Sequence, residues 1–105
     1  VSGSSTHANR LDTIRRVERE YGVVIDPHTA DGIKVGLEHR QPNVPLICLE
    51  TALPVKFAAT IREALGREPE RPAGFETLES LPQRFVVIDP DADTVKRYIA
   101  AHTGA

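Results

Sequence analysis

Residues 45–57 constrain the fold most, because they run from an apolar stretch straight into the start of a helix. The apolar stretch, residues 46–49, does not alternate with polar residues, which is typical of a strand covered on both faces inside a parallel sheet. Pro54 suits the first turn of a helix. Since open α/β sheets bind ligands where strands end and helices begin, this junction predicts a ligand site.

Thr51 stands at the carboxyl end of the predicted strand and is the candidate binding residue. Its hydroxyl can both donate and accept a hydrogen bond, and the small Ala52 beside it leaves room for a flat ligand. The sequence leaves one alternative open, namely that Thr51 only helps to cap the following helix, as threonine often does.

Apolar spacing, caps and breakers predict the remaining elements. Helices are predicted to begin at the caps Thr6 and Asp26 and to end at Gly22 and Gly66. Two glycines four residues apart on the second helix, Gly32 and Gly36, predict that another part of the protein packs closely against that helix face. Four helices are predicted: residues 6–21, a second that starts at Pro27 and is ended by Gln41, residues 54–65 and residues 91–102. In the last helix, Val95, Tyr98 and Ile99 are expected to be buried. One or two helical turns are predicted within 75–81, and strands at 23–25, 46–49 and 85–88.

This alternation predicts an α/β fold for residues 1–105, with a partial three-layer sheet and flanking helices. Three short strands make an incomplete sheet, so its missing strands are expected to come from upstream sequence. The absence of Trp and Met and the start at Val1 also suggest part of a larger protein.

Composition excludes several classes of function. The net charge is −2 with acids and bases interspersed, which does not favour nucleic acid or an anionic membrane as a partner. The longest apolar run is far shorter than the roughly 20 residues that span a bilayer. The single cysteine, Cys48, is expected to be a buried structural residue in a reducing, cytosolic setting.

The four histidines do not predict a metal site. His28 and His39 are eleven residues apart on one predicted helix, about 16 Å along its axis, which is too far to share an ion. His7 and His102 have no partner ligand nearby in the sequence.

Two further groups remain as candidates for chemistry. Asp26 and His28 could form an acid and base pair, since a carboxylate can orient an imidazole, or Asp26 could serve only as a helix cap. Lys56 is the lysine nearest the predicted ligand edge, where it could bind an anion or simply be a surface residue.

Two motifs together give the chain a resemblance to a known family. They are Val24-Ile25-Asp26-Pro27-His28-Thr29-Ala30 and Ile47-Cys48-Leu49-Glu50-Thr51-Ala52-Leu53-Pro54-Val55-Lys56-Phe57, supported by Gly3-Ser4-Ser5-Thr6-His7 and Val95-Lys96-Arg97-Tyr98-Ile99. In order and spacing they resemble the carboxyl-terminal part of threonine synthase of the bacterial and fungal type. The resemblance covers nearly all of this chain but only the last part of such an enzyme.

The resemblance implies a fragment of a fold type II pyridoxal-phosphate enzyme, a cytoplasmic lyase of threonine biosynthesis. Such an enzyme converts O-phospho-L-homoserine and water to L-threonine and phosphate. It further implies that Thr51 hydrogen-bonds the pyridine nitrogen of pyridoxal 5'-phosphate. The family motif often has histidine where this chain has Leu53, which puts any role of a histidine there in doubt.

The same resemblance implies that the cofactor-bearing lysine and most substrate contacts lie upstream, so no catalytic residue is assigned within this chain. The fragment alone is therefore expected to be inactive. Two alternatives stay open, a non-catalytic threonine-synthase-like protein and a stand-alone α/β binding module.

Overall fold

The computed structural model describes residues 1–104, which fold into helices joined by irregular segments. The four α-helices are α1 (His7–Tyr21), α2 (Pro27–Glu38), α3 (Ala58–Leu65) and α4 (Ala92–His102), with 3₁₀ turns at Pro54–Phe57 and Leu78–Ser80. No helix within the described residues is both long and apolar enough to cross a membrane.

The helix starts predicted at Thr6 and Asp26 and the ends predicted at Gly22 and Gly66 are confirmed. Helix α2 ends earlier than predicted, at Glu38 instead of Gln41, and the helix predicted over 54–65 begins with a 3₁₀ turn. Thr6 and Asn9 form a reciprocal capping box at the start of α1, and Asp26 caps α2 with Pro27 in its first turn. Gly22 and Gly66 follow α1 and α3 in the left-handed conformation, with φ of 69° and 70°. Glycine adopts this conformation without a steric penalty, so it ends each helix sharply.

Helix α1 lies between α2 and α3 and provides the centre of the core. Ile14 of α1 and Ile61 of α3 are fully buried. The buried apolar cluster consists of Leu11, Ile14, Ile25, Ala30, Ile61 and Ala64. Burying such side chains contributes roughly 1.5–3 kcal/mol each, so this small cluster is the main stabilising feature.

Polar contacts fix α1 against both neighbours. The guanidinium of Arg10 makes two-point contact with Asp31 of α2, with a shortest N–O distance of 2.6 Å. Arg15 Nε donates to the carbonyl oxygen of Ala64 at 2.9 Å, so a cation lies at the carboxyl end of α3, where the helix dipole favours it.

The predicted partial three-layer α/β sheet is wrong. Residues 23–25, 46–49 and 85–88 are irregular, and the described residues contain no strand. A strand requires a neighbouring backbone, and within residues 1–104 the backbone groups of 46–49 and 85–88 have no backbone hydrogen-bond partner. Apolar composition alone therefore did not produce a sheet.

These irregular segments leave much apolar surface uncovered. Ile47, Leu49 and Val87 are 81%, 79% and 84% exposed. The radius of gyration is 18.4 Å, against about 13 Å for a compact domain of this length. The accessible surface is 8123 Å², whereas about 5,800 Å² is typical of a compact protein of this mass. The described chain is thus more open than a self-sufficient domain.

Helix α4 takes no part in the core. The predicted burial of Val95 and Ile99 is wrong, since they are 39% and 53% exposed, because no other described element packs extensively on this helix. Tyr98 is half-buried and stacks on the ring of His102, with 4.1 Å between centroids.

The predicted close approach to α2 is confirmed at Gly36. A Cβ built at Gly36 would lie 3.2 Å from both methyl carbons of Leu46 and 3.6 Å from Cys48 Sγ. A Cβ at Gly32 would meet nothing within 4 Å. Cys48, expected to be buried, is only partly so.

Asp26 is a fully buried carboxylate in the loop that enters α2. Desolvation raises its pKa, but hydrogen bonds from the Thr29 hydroxyl, the His28 backbone N–H and the His28 ring outweigh it, so the pKa lies below 3.8. The folded state therefore favours the ionised form.

We expect Gly32→Ala to stabilise the helical core by about 1 kcal/mol, because alanine has the higher helix propensity and Gly32 has open space. Gly36→Ala should gain clearly less stability, since Leu46 must shift to make room for the new methyl group. The stability of both variants is measured by the midpoint of thermal unfolding, followed by the helical circular dichroism signal. Equal gains would contradict the close contact.

We expect Asp26→Asn to destabilise the fold at neutral pH by about 1–3 kcal/mol, because an amide cannot accept all three hydrogen bonds. Asparagine caps helices as well as aspartate does, so the loss reflects the hydrogen bonds that need the second carboxylate oxygen and not the cap itself. The pKa of Asp26 is lowered, so its stabilisation is present above 3.8 and is lost as the pH falls through the native pKa.

The matched control is Asp91→Asn, at the exposed cap of α4, where Asp91 also accepts from a threonine N–H and hydroxyl. We expect it to change stability by less than about 0.5 kcal/mol. Denaturation midpoints measured from neutral to acid pH test the pair. Equal effects of the two variants, or an unchanged acid dependence in Asp26→Asn, would refute the role of the buried carboxylate.

Candidate functional site

His28 is held by Asp26 at the start of α2. Its ring Nδ1 lies 3.1 Å from Asp26 Oδ1, and the same oxygen accepts the His28 backbone N–H at 2.9 Å. The two interpretations of this pair are therefore compatible, because Asp26 caps the helix and orients the imidazole at once. The His28 side chain is 62% exposed above a carboxylate that is 0% exposed.

The His28 ring also contacts Phe57. The two ring centroids are 4.9 Å apart and the planes meet at 66°, an edge-to-face arrangement. Phe57 ends the 3₁₀ turn that begins at Pro54, and Val55 buries that turn in the protein. The two motifs that carry the family resemblance thus meet through these rings. Nothing in the spacing of residues 28 and 57 predicts this contact.

Thr51 lies on the surface, just before the 3₁₀ turn. It lines a shallow depression of about 290 Å³ with Glu50, Ala52, Leu53 and Lys56. In the described part of the chain, the Thr51 hydroxyl forms no hydrogen bond and caps no helix, since the turn begins without a side-chain cap. The hydroxyl is therefore free to meet a ligand at this surface.

The lysines of the chain are in different situations. Lys34 is committed, since its Nζ donates to the Ser4 carbonyl at 2.7 Å and pairs with Glu38. Lys96 pairs with Asp93 on α4. Lys56 has no ion-pair partner among residues 1–104 and lines the depression with Thr51. Lys56 is thus the cation available to a ligand there.

The remaining histidines lie apart from this surface. His7 contacts Glu63 at 3.0 Å, and His102 Nδ1 lies 2.8 Å from the Tyr98 carbonyl oxygen. His39 follows the opposite end of α2 from His28. No three metal-ligating side chains come together within the described residues.

Asp31 adds negative charge on the same helix as His28. Burial raises its pKa, but hydrogen bonding to Arg10 prevails, together with the positive charge of His28 when it is protonated, so the pKa lies below its ordinary value. The first turns of α2 and its cap therefore carry two carboxylates, and the His28 ring is exposed beside them. Sequence reasoning missed Asp31, because its partner Arg10 is 21 residues away.

Comparison with known proteins supplies the family. The family model described as "Threonine synthase, C-terminal" matches residues 29–99. The chain is 59% identical over 102 residues to threonine synthase of Methylobacillus glycogenes, covering 97% of this chain and 22% of that protein. It is 50% identical over 100 residues to threonine synthase of Corynebacterium glutamicum, covering 94% of this chain and 21% of that protein.

A solved structure agrees with these relatives. The crystal structure of pyridoxal-phosphate-bound threonine synthase from Brucella melitensis is similar with a TM-score of 0.75 and 34% identity, covering 98% of this chain and 22% of that one. The chain thus spans about a fifth of the length of the relatives it matches. From the family match and these identities, this chain belongs to the threonine synthase family, as the part that corresponds to the carboxyl-terminal region.

Proposed function

We propose that the chain is the carboxyl-terminal part of a threonine synthase that converts O-phospho-L-homoserine and water to L-threonine and phosphate. In this proposal residues 1–105 form one segment that supplies part of the pyridoxal-phosphate site. The exposed Thr51 hydroxyl beside Lys56 is the observation that carries the assignment of the cofactor contact.

The residues around Thr51 fit one edge of the cofactor. A hydroxyl without a hydrogen-bond partner in residues 1–104 can bond the pyridine nitrogen, and Ala52 is small enough for the ring to approach. Leu53, 36% exposed, adds apolar surface at the same place. This fit concerns one edge of a cofactor, and the other contacts require more protein than this chain contains.

Pyridoxal phosphate supplies an electron sink for carbanion chemistry when it is bound. Thr51 tunes that chemistry, because a hydroxyl, unlike a carboxylate, does not keep the pyridine nitrogen protonated. Lys56 provides positive charge near this edge for an anionic group. The buried Val55 holds in place the 3₁₀ turn that carries Lys56 and follows Thr51.

The proposed partner of this segment is the rest of the same polypeptide, upstream of Val1. The exposed apolar residues 46–49 and 85–88 and the outward surface of α4 are the regions it would cover. The resemblance to threonine synthases implies that the lysine that binds the cofactor belongs to that upstream part. The whole enzyme is proposed to be cytoplasmic.

A second candidate is a threonine-synthase-like protein that keeps the fold without the chemistry. Leu53, where the family motif often has histidine, is the observation that favours it. A cofactor-binding lysine in the upstream sequence is required by the first candidate and dispensable for the second.

In the full-length protein we expect Thr51→Val to weaken pyridoxal-phosphate binding about 2- to 10-fold and to slow threonine formation, because one hydrogen bond is lost at similar volume. Thr51→Ser, which keeps the hydroxyl, is the matched control and should stay close to wild type. Cofactor titration followed by absorbance, with steady-state kinetics, measures both variants. If Thr51→Val binds the cofactor and turns over like wild type, the assignment of Thr51 is rejected.

We expect residues 1–105 alone to be inactive and only marginally stable, because the exposed apolar segments lack their cover. The purified chain should aggregate or unfold over a broad urea range, and it should not acquire the absorbance of lysine-bound pyridoxal phosphate. A clean two-state transition would contradict the need for further protein. Lysine-bound cofactor would show that a local lysine carries it.

A further inference from the structure

The pairing of His28 with a buried carboxylate sets which ring nitrogen carries the proton. Asp26 is ionised, because its pKa is lowered, and a carboxylate can only accept hydrogen bonds. Nδ1 of His28 therefore donates to Oδ1, and in the neutral ring Nε2 keeps its lone pair. This is the arrangement that a general base requires.

Capping alone does not explain this arrangement. The helix cap needs a hydrogen-bond acceptor at residue 26 and backbone N–H groups from the residues that follow, and neither need involves an imidazole. Thr29 occupies the other oxygen of Asp26 through its hydroxyl. No buried polar side-chain atom is left without a partner within residues 1–104, so the carboxylate is satisfied and its orientation is fixed. His28 is the member of the cluster that faces outward.

The second contact of the ring joins it to the segment that carries the proposed cofactor contact. Phe57 packs edge-to-face on His28 and ends the same short turn that carries Lys56 and follows Thr51. Asp26 and Phe57 together hold the ring from two sides. Within the described residues Nε2 has no hydrogen-bond partner, so it is available to a reactant.

We propose that His28 is a proton-transfer residue of the threonine synthase reaction and that Asp26 positions it. This inference rests on the proposed function. Release of the phosphate breaks its C–O bond and, with loss of a proton from the neighbouring carbon, leaves a carbon–carbon double bond. Nε2 takes a proton from the water molecule that the reaction consumes, so that an O–H bond breaks as the oxygen bonds to that neighbouring carbon, and the carbon that carried the phosphate takes up the proton that its neighbour lost. The imidazolium then gives the proton of the water to the phosphate, which balances protons over the turnover.

The charged groups around the ring bear on its protonation. Asp26 and Asp31 lie on its own side, at the start of α2, and both are anionic at neutral pH. On the turn that packs against the ring, the charged residue is Lys56, next to Phe57. A base role requires the neutral ring, so activity should fall on the acid side of the pH profile.

The test uses the full-length protein with His28→Asn. Asparagine can still donate to Asp26 from the position of Nδ1 but has no counterpart of Nε2. We expect kcat to fall about 10²- to 10⁴-fold with little change in cofactor content or KM, and the acid limb of the kcat/KM profile to vanish. Asp26→Asn should lower kcat and shift that limb. His39→Asn, an exposed histidine at the far end of the same helix, is the matched control and should behave as wild type.

A readout independent of turnover is the ¹⁵N NMR spectrum of the His28 ring in the full-length protein, assigned by its absence in His28→Asn. We expect the proton on Nδ1 in wild type and a mixture of tautomers in Asp26→Asn. A proton fixed on Nε2 overturns the inference.

Several kinetic results would also overturn it. These are kcat of His28→Asn within about threefold of wild type, loss of activity on the alkaline rather than the acid side, and loss of bound cofactor in both His28→Asn and His28→Gln. The last would show that the ring has a structural role. If wild-type protein itself forms no threonine, the proposed function fails, whereas an active wild type with an active His28→Asn rejects only the role of His28.

Discussion

The buried carboxylate of Asp26 is the interaction on which the arrangement of this chain depends. Asp26 follows Ile25, which is part of the apolar cluster, and it begins α2 by accepting the N–H of His28. One side chain therefore links the core to the start of a helix. The hydrogen bonds it accepts outweigh the cost of burying its charge, which makes the position intolerant of a side chain that cannot accept them.

The same carboxylate connects packing to the candidate chemistry. By fixing His28, it also fixes the surface on which Phe57 rests, and Phe57 ends the segment that carries Thr51 and Lys56. Two motifs that are far apart in sequence thus share a border. Phe57 thus joins the segment with the exposed imidazole of His28 to the segment with the exposed Thr51, while Lys34 and Lys96 are paired elsewhere.

Local sequence signals predicted the helices well. Thr6, Asp26, Gly22 and Gly66 act through neighbouring backbone groups, so the information needed to place them lies within a few residues. The three strands were wrong because a strand depends on a distant backbone that apolar composition does not guarantee. The exposure of Val95 and Ile99 has the same origin, since burial requires a partner surface.

The candidate site was predictable only in part. The position of Thr51 before a helical turn followed from the sequence, and its contact with the cofactor stays a prediction. The Asp26–His28 pair was visible as a spacing of two residues, but its burial and its contact with Phe57 depend on tertiary packing. Lys56 was singled out by proximity in sequence, and the structure places it in the same depression as Thr51.

The narrow gap between Gly36 and Leu46 has an evolutionary consequence. With only 3.2 Å between a would-be Cβ and the leucine methyl carbons, a larger residue at 36 fits when the residue at 46 becomes smaller. Homologous chains should therefore change these two positions in a correlated way, with their combined volume nearly conserved. Two positions ten residues apart in the sequence would then vary together, because one packing contact joins them.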